Sequence, residues 1–296
     1  MATYYVKNTG NDTLTGLSDA QAWATISKVN SATLNAGDIV CFNKGDVWRE
    51  MLTVSVNGTS GSYIKYTNYG TGDNPKLLGS IKAVGWENQG GNIWKSATTM
   101  TNPYASGTMS QGAEIYFEEL DGSVSWGSHK TSTSACTAEY HWTWSSNYLY
   151  VYALTDPDTR YTSVEATQRP YIFDLAFKNY VHIDGIDMFY CGETGVTYSS
   201  TGAGWVSKTG LIIENCEIGY VSIKNSEAGY GTECIYNDMI VRHCTIHDCG
   251  RRSISLHLYG SYEITNLLFE DNVFYNGYHT TGLDFSVGNG TGMKIN

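Results

Sequence analysis

Hydrophobic residues return along this chain with a fixed rhythm. Four segments, "VHIDGIDM" (181–188), "LIIENCEI" (211–218), "MIVRHCTI" (239–246) and "LLFEDNVF" (267–274), align without gaps, and the last three start 28 residues apart. In each, apolar side chains occupy the first and third positions and return at the sixth and eighth, which predicts a short strand, a bend and a second strand. A strand unit repeated at this period predicts a solenoid.

Stacking the copies gives one column of Val181, Leu211, Met239 and Leu267 and a second of Ile183, Ile213, Val241 and Phe269. A third column holds Ile186, Cys216, Cys244 and Asn272, and a fourth holds Met188, Ile218, Ile246 and Phe274. Three positions further on stand Cys191, Val221, Cys249 and Gly277. Rungs of a parallel sheet lie about 4.8 Å apart, so the columns become continuous internal ladders.

This register decides how "IVRHCTIHDCGRR" (240–252) is read. His243, Cys244, His247 and Cys249 have the chemistry of zinc ligands. Cys244 and Cys249, however, stand where other coils carry Ile, Asn, Val and Gly, so both are expected to be buried ladder residues, while His243 points outward. Opposed side chains cannot share one tetrahedral ion, and no metal is assigned.

Composition changes the picture in four ways. The 296 residues suffice for one large domain, and 32 Gly and 23 Tyr against 4 Pro, in a Thr/Ser/Asn-rich texture, favour strands and turns. A net charge of −11 argues against a nucleic-acid partner. No apolar run is long enough for a spanning helix, and "MATYYVKNTG" lacks the basic and apolar regions of a signal peptide, so an export signal has been removed or none is used. Seven cysteines, an odd count, exclude a fully paired disulfide framework within one chain.

The repeats, with "YYVKNTGNDTLTGLSDAQAWATISKVNS" and "LNAGDIVCFNKGDVWRE" before them, resemble the right-handed parallel β-helix of the pectate-lyase-like superfamily, which includes polysaccharide lyases and phage tail spikes. The resemblance implies an N-terminal cap and first rungs over 1–100, with a short capping helix at 22–32, and main coils over 166–296. Between them, "AEIYFEELDG" and "EYHWTWSSNYLYVYAL" alternate like antiparallel strands, so 101–165 reads as a β-rich insertion. At the C-terminus, Met293 and Ile295 begin what reads as another rung with no cap after it. Two expectations stay open: the sequence is a fragment, or an identical or different chain covers that rung, as in a homotrimer of the tail-spike kind.

The outward surface of such a rod suits an extended polymer, and the resemblance implies an extracellular polysaccharide: on a secreted protein, a cell surface or a virion tail. Many relatives of this kind are lyases that take the proton beside a uronate carboxylate with a Lys or Arg base, often with Ca²⁺ or another Arg neutralising the carboxylate. Lys224 lies six residues after Ile218 and Arg252 six after Ile246, so similar turns would make them neighbours, with Arg251 beside them. The pair resembles the chondroitinase B and alginate lyase group in spacing; no clear calcium-ligand pattern flanks it, Glu227 and Glu233 being the nearest carboxylates in sequence.

A glycoside hydrolase would instead need two carboxylates. Asp284 is expected to stack near Ser255, with His257, His279 and Arg251 in reach and Asp248 or Glu233 as partner. Among the turn tyrosines, Tyr230, Tyr259 and Tyr278 offer ring faces on which sugars stack, with His279 among the substrate contacts. Three readings follow: a lyase, favoured; a glycoside hydrolase; and a glycan-holding spike or adhesin without catalysis.

Overall fold

Period-two alternation interrupted at fixed points builds a right-handed coil of three parallel sheets, seen in a computed structural model. The described residues are 1–103, 115–198, 208–222, 229–234, 236–256, 258–259, 264–277, 280–284 and 287–288. The first sheet stacks Thr3–Val6, Ile39–Asn43, Ile64–Tyr69, Val181–Asp184, Lys208–Glu214, Tyr236–Arg242 and Leu267–Glu270. A second runs from Val47–Trp48 through Lys76–Leu78, Asp187–Phe189, Glu217–Val221 and Thr245–Cys249 to Val273–Tyr275. A third runs from Leu52–Thr53 through Tyr171–Asp174, Thr194–Thr197, Tyr230–Glu233 and Arg252–Ser255 to Thr280–Asp284.

The expected columns are the observed register. Val181 pairs with Leu211, Leu211 with Met239 and Met239 with Leu267, and on the second sheet Met188, Ile218, Ile246 and Phe274 pair in turn. Almost all of these side chains are sealed from solvent, each worth about 1.5–3 kcal/mol of burial. Cys216 and Cys244 are interior wall, and Asn272 at the same position bonds the Cys244 N–H and the Val241 carbonyl. His243 faces out, with half its side chain in solvent, so the zinc reading fails on geometry.

Each coil bends where the backbone turns left-handed. Tyr180, Gly185 and Tyr190 have φ of 55, 63 and 64°, and residues 210/215/220, 238/243/248 and 266/271/276 repeat the same five-residue spacing of positive φ. Asn, Asp and Gly fill most of these places because they tolerate that conformation best. The corner between first and second sheets is two residues in each of the last four coils (185–186, 215–216, 243–244, 271–272). The corner between second and third sheets is elastic, running from two residues (250–251) through eight (222–229) to the whole segment 79–170.

That long segment is the insertion. Its antiparallel strands begin at Ser80, before the expected start at 101, because Ser80–Ala83 pairs with Ser163–Thr167 and Ile93–Thr99 with Tyr148–Tyr152. The resemblance places these residues among the first rungs, whereas their antiparallel pairing puts them in the insertion. The insertion has its own core around Ile115, Phe117, Trp142, Leu149 and Val151. A smaller apolar seam, Leu78, Tyr116, Phe189 and Tyr190, joins it to the second sheet.

At the N-terminal end the helix Ile26–Ser31 closes the coil, burying Ile26 and Val29 in the solenoid core. The Thr25 side chain caps it by accepting from the Lys28 N–H. No helix among the described residues is long and apolar enough to cross a membrane. Met293 and Ile295 lie outside the described residues.

Candidate functional site

A cleft of about 350 Å³ opens where the insertion leans over the outer side of the second sheet. That volume lies within the about 300–1,000 Å³ usual for small-ligand sites. Its floor comes from the rod: Lys76 and Leu78, then Phe189 and Tyr190, then Glu217 and Tyr220, on successive coils. The facing wall is the sheet face that carries Lys82, Glu118, Ser163 and Glu165; the other face of those strands fills the insertion core. Alternation produces this division: Glu118 stands opposite Ser163, and Glu165 opposite both Tyr116 and Lys82.

Glu165 is 1% exposed and fastens the insertion to the rod. Arg49 donates through Nη2 at 2.5 Å and Nε at 3.3 Å, and Ser80 Oγ at 2.6 Å. Glu118 is less committed, accepting from Ser163 Oγ at 2.8 Å. Lys82 Nζ donates to the Thr162 carbonyl at 3.0 Å, and Lys76 Nζ lies 5.7 Å from the centre of the Phe189 ring.

Aromatic rings make the apolar surface. Tyr190 and Tyr220 stack 5.5 Å apart, and Tyr116 meets Tyr190 at 5.0 Å while its hydroxyl bonds Ser222 Oγ at 3.0 Å. Both stacked tyrosines sit at left-handed corners where the next two coils use Asp248 and Asn276. Burial pushes both phenols up, Tyr220 to about 12, so they stay neutral donors near neutral pH.

Glu217 is held from below. Its Oε1 lies 2.9 Å from His247 Nε2, and His247 Nδ1 lies 2.7 Å from Asp248 Oδ2. The His247 bond is the main cause holding the Glu217 carboxyl below its usual range, outweighing burial. For His247, burial favours the neutral ring, but the bonds and charges of Asp248 and Glu217 overcome it and raise the group to about 9.

The described residues among those singled out in the sequence lie outside this cleft. Arg252 is in the third sheet and pairs with Tyr230, so the turns preceding these residues are not alike: 222–229 on one coil, 250–251 on the next. Lys224 lies outside the described residues, as do His257, Tyr278 and His279; Tyr259 and Asp284 are described by backbone alone. Arg251 Nη1 donates to the Tyr230 hydroxyl at 2.9 Å, and both guanidiniums flank that ring at 5.7 and 6.0 Å. Tyr230 is buried, however, so its face is not open for stacking. Asp284 does pair with Ser255, and Glu233 lies one rung beyond in the same column, whereas Asp248 belongs to the second sheet.

One further cluster offers metal-ligand chemistry: His182, Asp184 and Glu214, on the outer side of the first sheet, with ligand atoms within 4.8 Å of one another. Cations already occupy its carboxylates, since Lys65 pairs with Asp184 at 2.9 Å and Arg242 with Glu214 at 2.6 Å. The cluster is a closed ion-pair ladder along the sheet.

The cleft residues escaped the sequence reading because its wall and floor come from distant parts of the chain. One signal was available: Gly219, a glycine inside the strand "EIGYV", marks a place where something approaches closely. A Cβ there would stand 2.6 Å from the His247 ring.

No protein-family model matches the chain, and no curated protein matches it in sequence. Solved structures do share its fold. A complex of XylC with xylose superposes with a TM-score of 0.55 at 15% identity, over 91% of this chain and 62% of that one. A structure described as a glycoside hydrolase gives 0.55 at 11%, over 92% and 73%. The GH136 lacto-N-biosidase from Eubacterium ramulus gives 0.51 at 16%, over 92% of this chain and 41% of that one, so the chain spans less than two thirds of the first and last of these structures. At such identities the likeness establishes the parallel β-helix and nothing finer.

Proposed function

We propose that the chain processes carbohydrate, taking a glycan into the cleft between the second sheet and the insertion and hydrolysing a glycosidic bond there. The observation that carries this reading is the pair Glu118, on the insertion wall, and Glu217, on the floor beside the stacked tyrosines, lining one cleft. Two carboxylates flanking a sugar are the usual equipment for glycoside hydrolysis. Glu217, kept ionised by its His247 bond, takes the base or nucleophile role, and Glu118 that of proton donor. Tyr190 and Tyr220 supply ring surface and phenol donors for a sugar.

The names carried by the fold relatives, a xylose complex, a lacto-N-biosidase and a glycoside hydrolase, support a glycan as ligand. Hydrolysis now ranks ahead of β-elimination, because the Lys224–Arg252 pair behind the lyase reading rested on turns of equal length. The test is incubation with neutral and uronate-containing oligosaccharides, with both reducing ends and ultraviolet absorbance followed. Reducing ends without absorbance, lost in Glu118→Gln and Glu217→Gln by about 10²–10⁴-fold, are expected. Absorbance from unsaturated ends would restore the lyase reading, and no cleavage of any glycan would overturn the catalytic one.

A further inference from the structure

His247 is 2% exposed in its side chain, yet both ring nitrogens are bonded to carboxylates. The fold makes a compartment for it. Along the outer side of the second sheet, Phe189, Gly219, His247 and Tyr275 form one column, and the missing side chain of Gly219 leaves the space the imidazole fills. Tyr275 stacks on the ring at 4.8 Å and 11°, and Tyr220 meets it edge-on at 5.0 Å. Asp248 is itself fixed by Asn276 Nδ2 at 3.1 Å.

We propose that His247 is a positioning residue: as an imidazolium clamped between Asp248 and Glu217 it fixes the Glu217 carboxylate on the cleft floor. This rests on the reading of Glu217 as catalytic. The polar and charged groups facing the ring are Glu217 from the preceding coil, Asp248 from its own strand, Tyr275 from the next coil and Tyr220 at the corner, with Lys76 acting on Glu217 from two coils further up. Two carboxylates against one buried ring favour its charged form. Only that form donates through both nitrogens, so losing its proton slackens one side of the clamp.

The clamp is read directly by ¹⁵N NMR of the His247 ring in the whole protein. In the wild type the ring titrates near pH 9, and in Glu217→Gln its midpoint falls by about 1–3 units. In kinetics, His247→Gln lowers kcat by about 10²-fold with KM little changed, and removes the alkaline limb of the kcat profile near pH 9. Gly219→Ala, which leaves the histidine in place but puts a methyl 2.6 Å from it, shifts kcat and the alkaline limb in the same direction and guards against a His247 variant that fails to fold. A ring that titrates near 6.5 and ignores Glu217→Gln overturns the clamp. An inactive Glu217→Gln beside His247→Gln and Gly219→Ala variants with wild-type kcat and pH profile overturns the positioning role alone. Full activity in Glu217→Gln overturns the reading of the cleft, and the positioning role with it.

Discussion

Removing Arg49 tests how the insertion is fastened to the rod. Arg49→Met deletes both guanidinium bonds to Glu165, a carboxylate at 1% exposure, leaving it only Ser80 Oγ. Breaking a buried ion pair from one side costs about 3–5 kcal/mol, because the surviving charge stays desolvated. The Arg49 side chain is 32% exposed, so water partly screens the pair already, and the expected loss is nearer 2–3 kcal/mol. Arg49→Met/Glu165→Met removes both charges and is expected to recover most of it. The assay is urea unfolding followed by tryptophan fluorescence, since Trp86, Trp94, Trp126, Trp142 and Trp144 all lie in the insertion and report its release. A loss below about 0.5 kcal/mol in Arg49→Met, or a double variant no better than the single one, would refute the argument.

Stability should also depend on alkaline pH through His247. Its folded pKa is raised from 6.5 to about 9, so the contribution is complete below pH 6.5 and is lost as pH climbs through 9; at 1.36 kcal/mol per unit it amounts to at most about 3 kcal/mol. Urea midpoints between pH 6.5 and 10 check this, and His247→Gln should flatten the decline. His243→Gly should hold or raise stability because φ there is 52°, whereas His243→Val should cost about 1–2 kcal/mol by the same measurement; neither variant should respond to a chelator. All seven cysteines are buried and unpaired, so none should react with a thiol reagent until the protein unfolds; fast labelling at Cys216 or Cys244 would contradict the interior assignment.

The rod was legible in the sequence because each inward position repeats a local rule: Ile213, Val241 and Phe269 share an apolar column whatever else the coils do. The left-handed corners were legible in part, since Asn215, His243 and Asp271 fall at one place in the repeat. The site was not. Counting forward from Ile246 places Arg252 correctly on its own coil, but the same count from Ile218 runs into a longer turn, and only pairing with Tyr230 reveals the offset. Glu118 reaches the cleft through tertiary packing of an antiparallel sheet on a parallel one, and no spacing along the chain encodes that contact. His247 has the chemistry of a zinc ligand in the sequence, but its role comes from Gly219 and Glu217, which lie one coil back in the chain.

The elastic corner between second and third sheets has a practical meaning. Lys76–Leu78 and Tyr171–Asp174 keep their places in the stack although an entire two-sheet body is spliced between them. The rod therefore behaves as a chassis with a socket at this corner, which holds anything from two residues (250–251) to the whole segment 79–170 because the two ends leave and return side by side. Recombination, natural or in the laboratory, could exchange the lid over the groove while the frame beneath stays untouched.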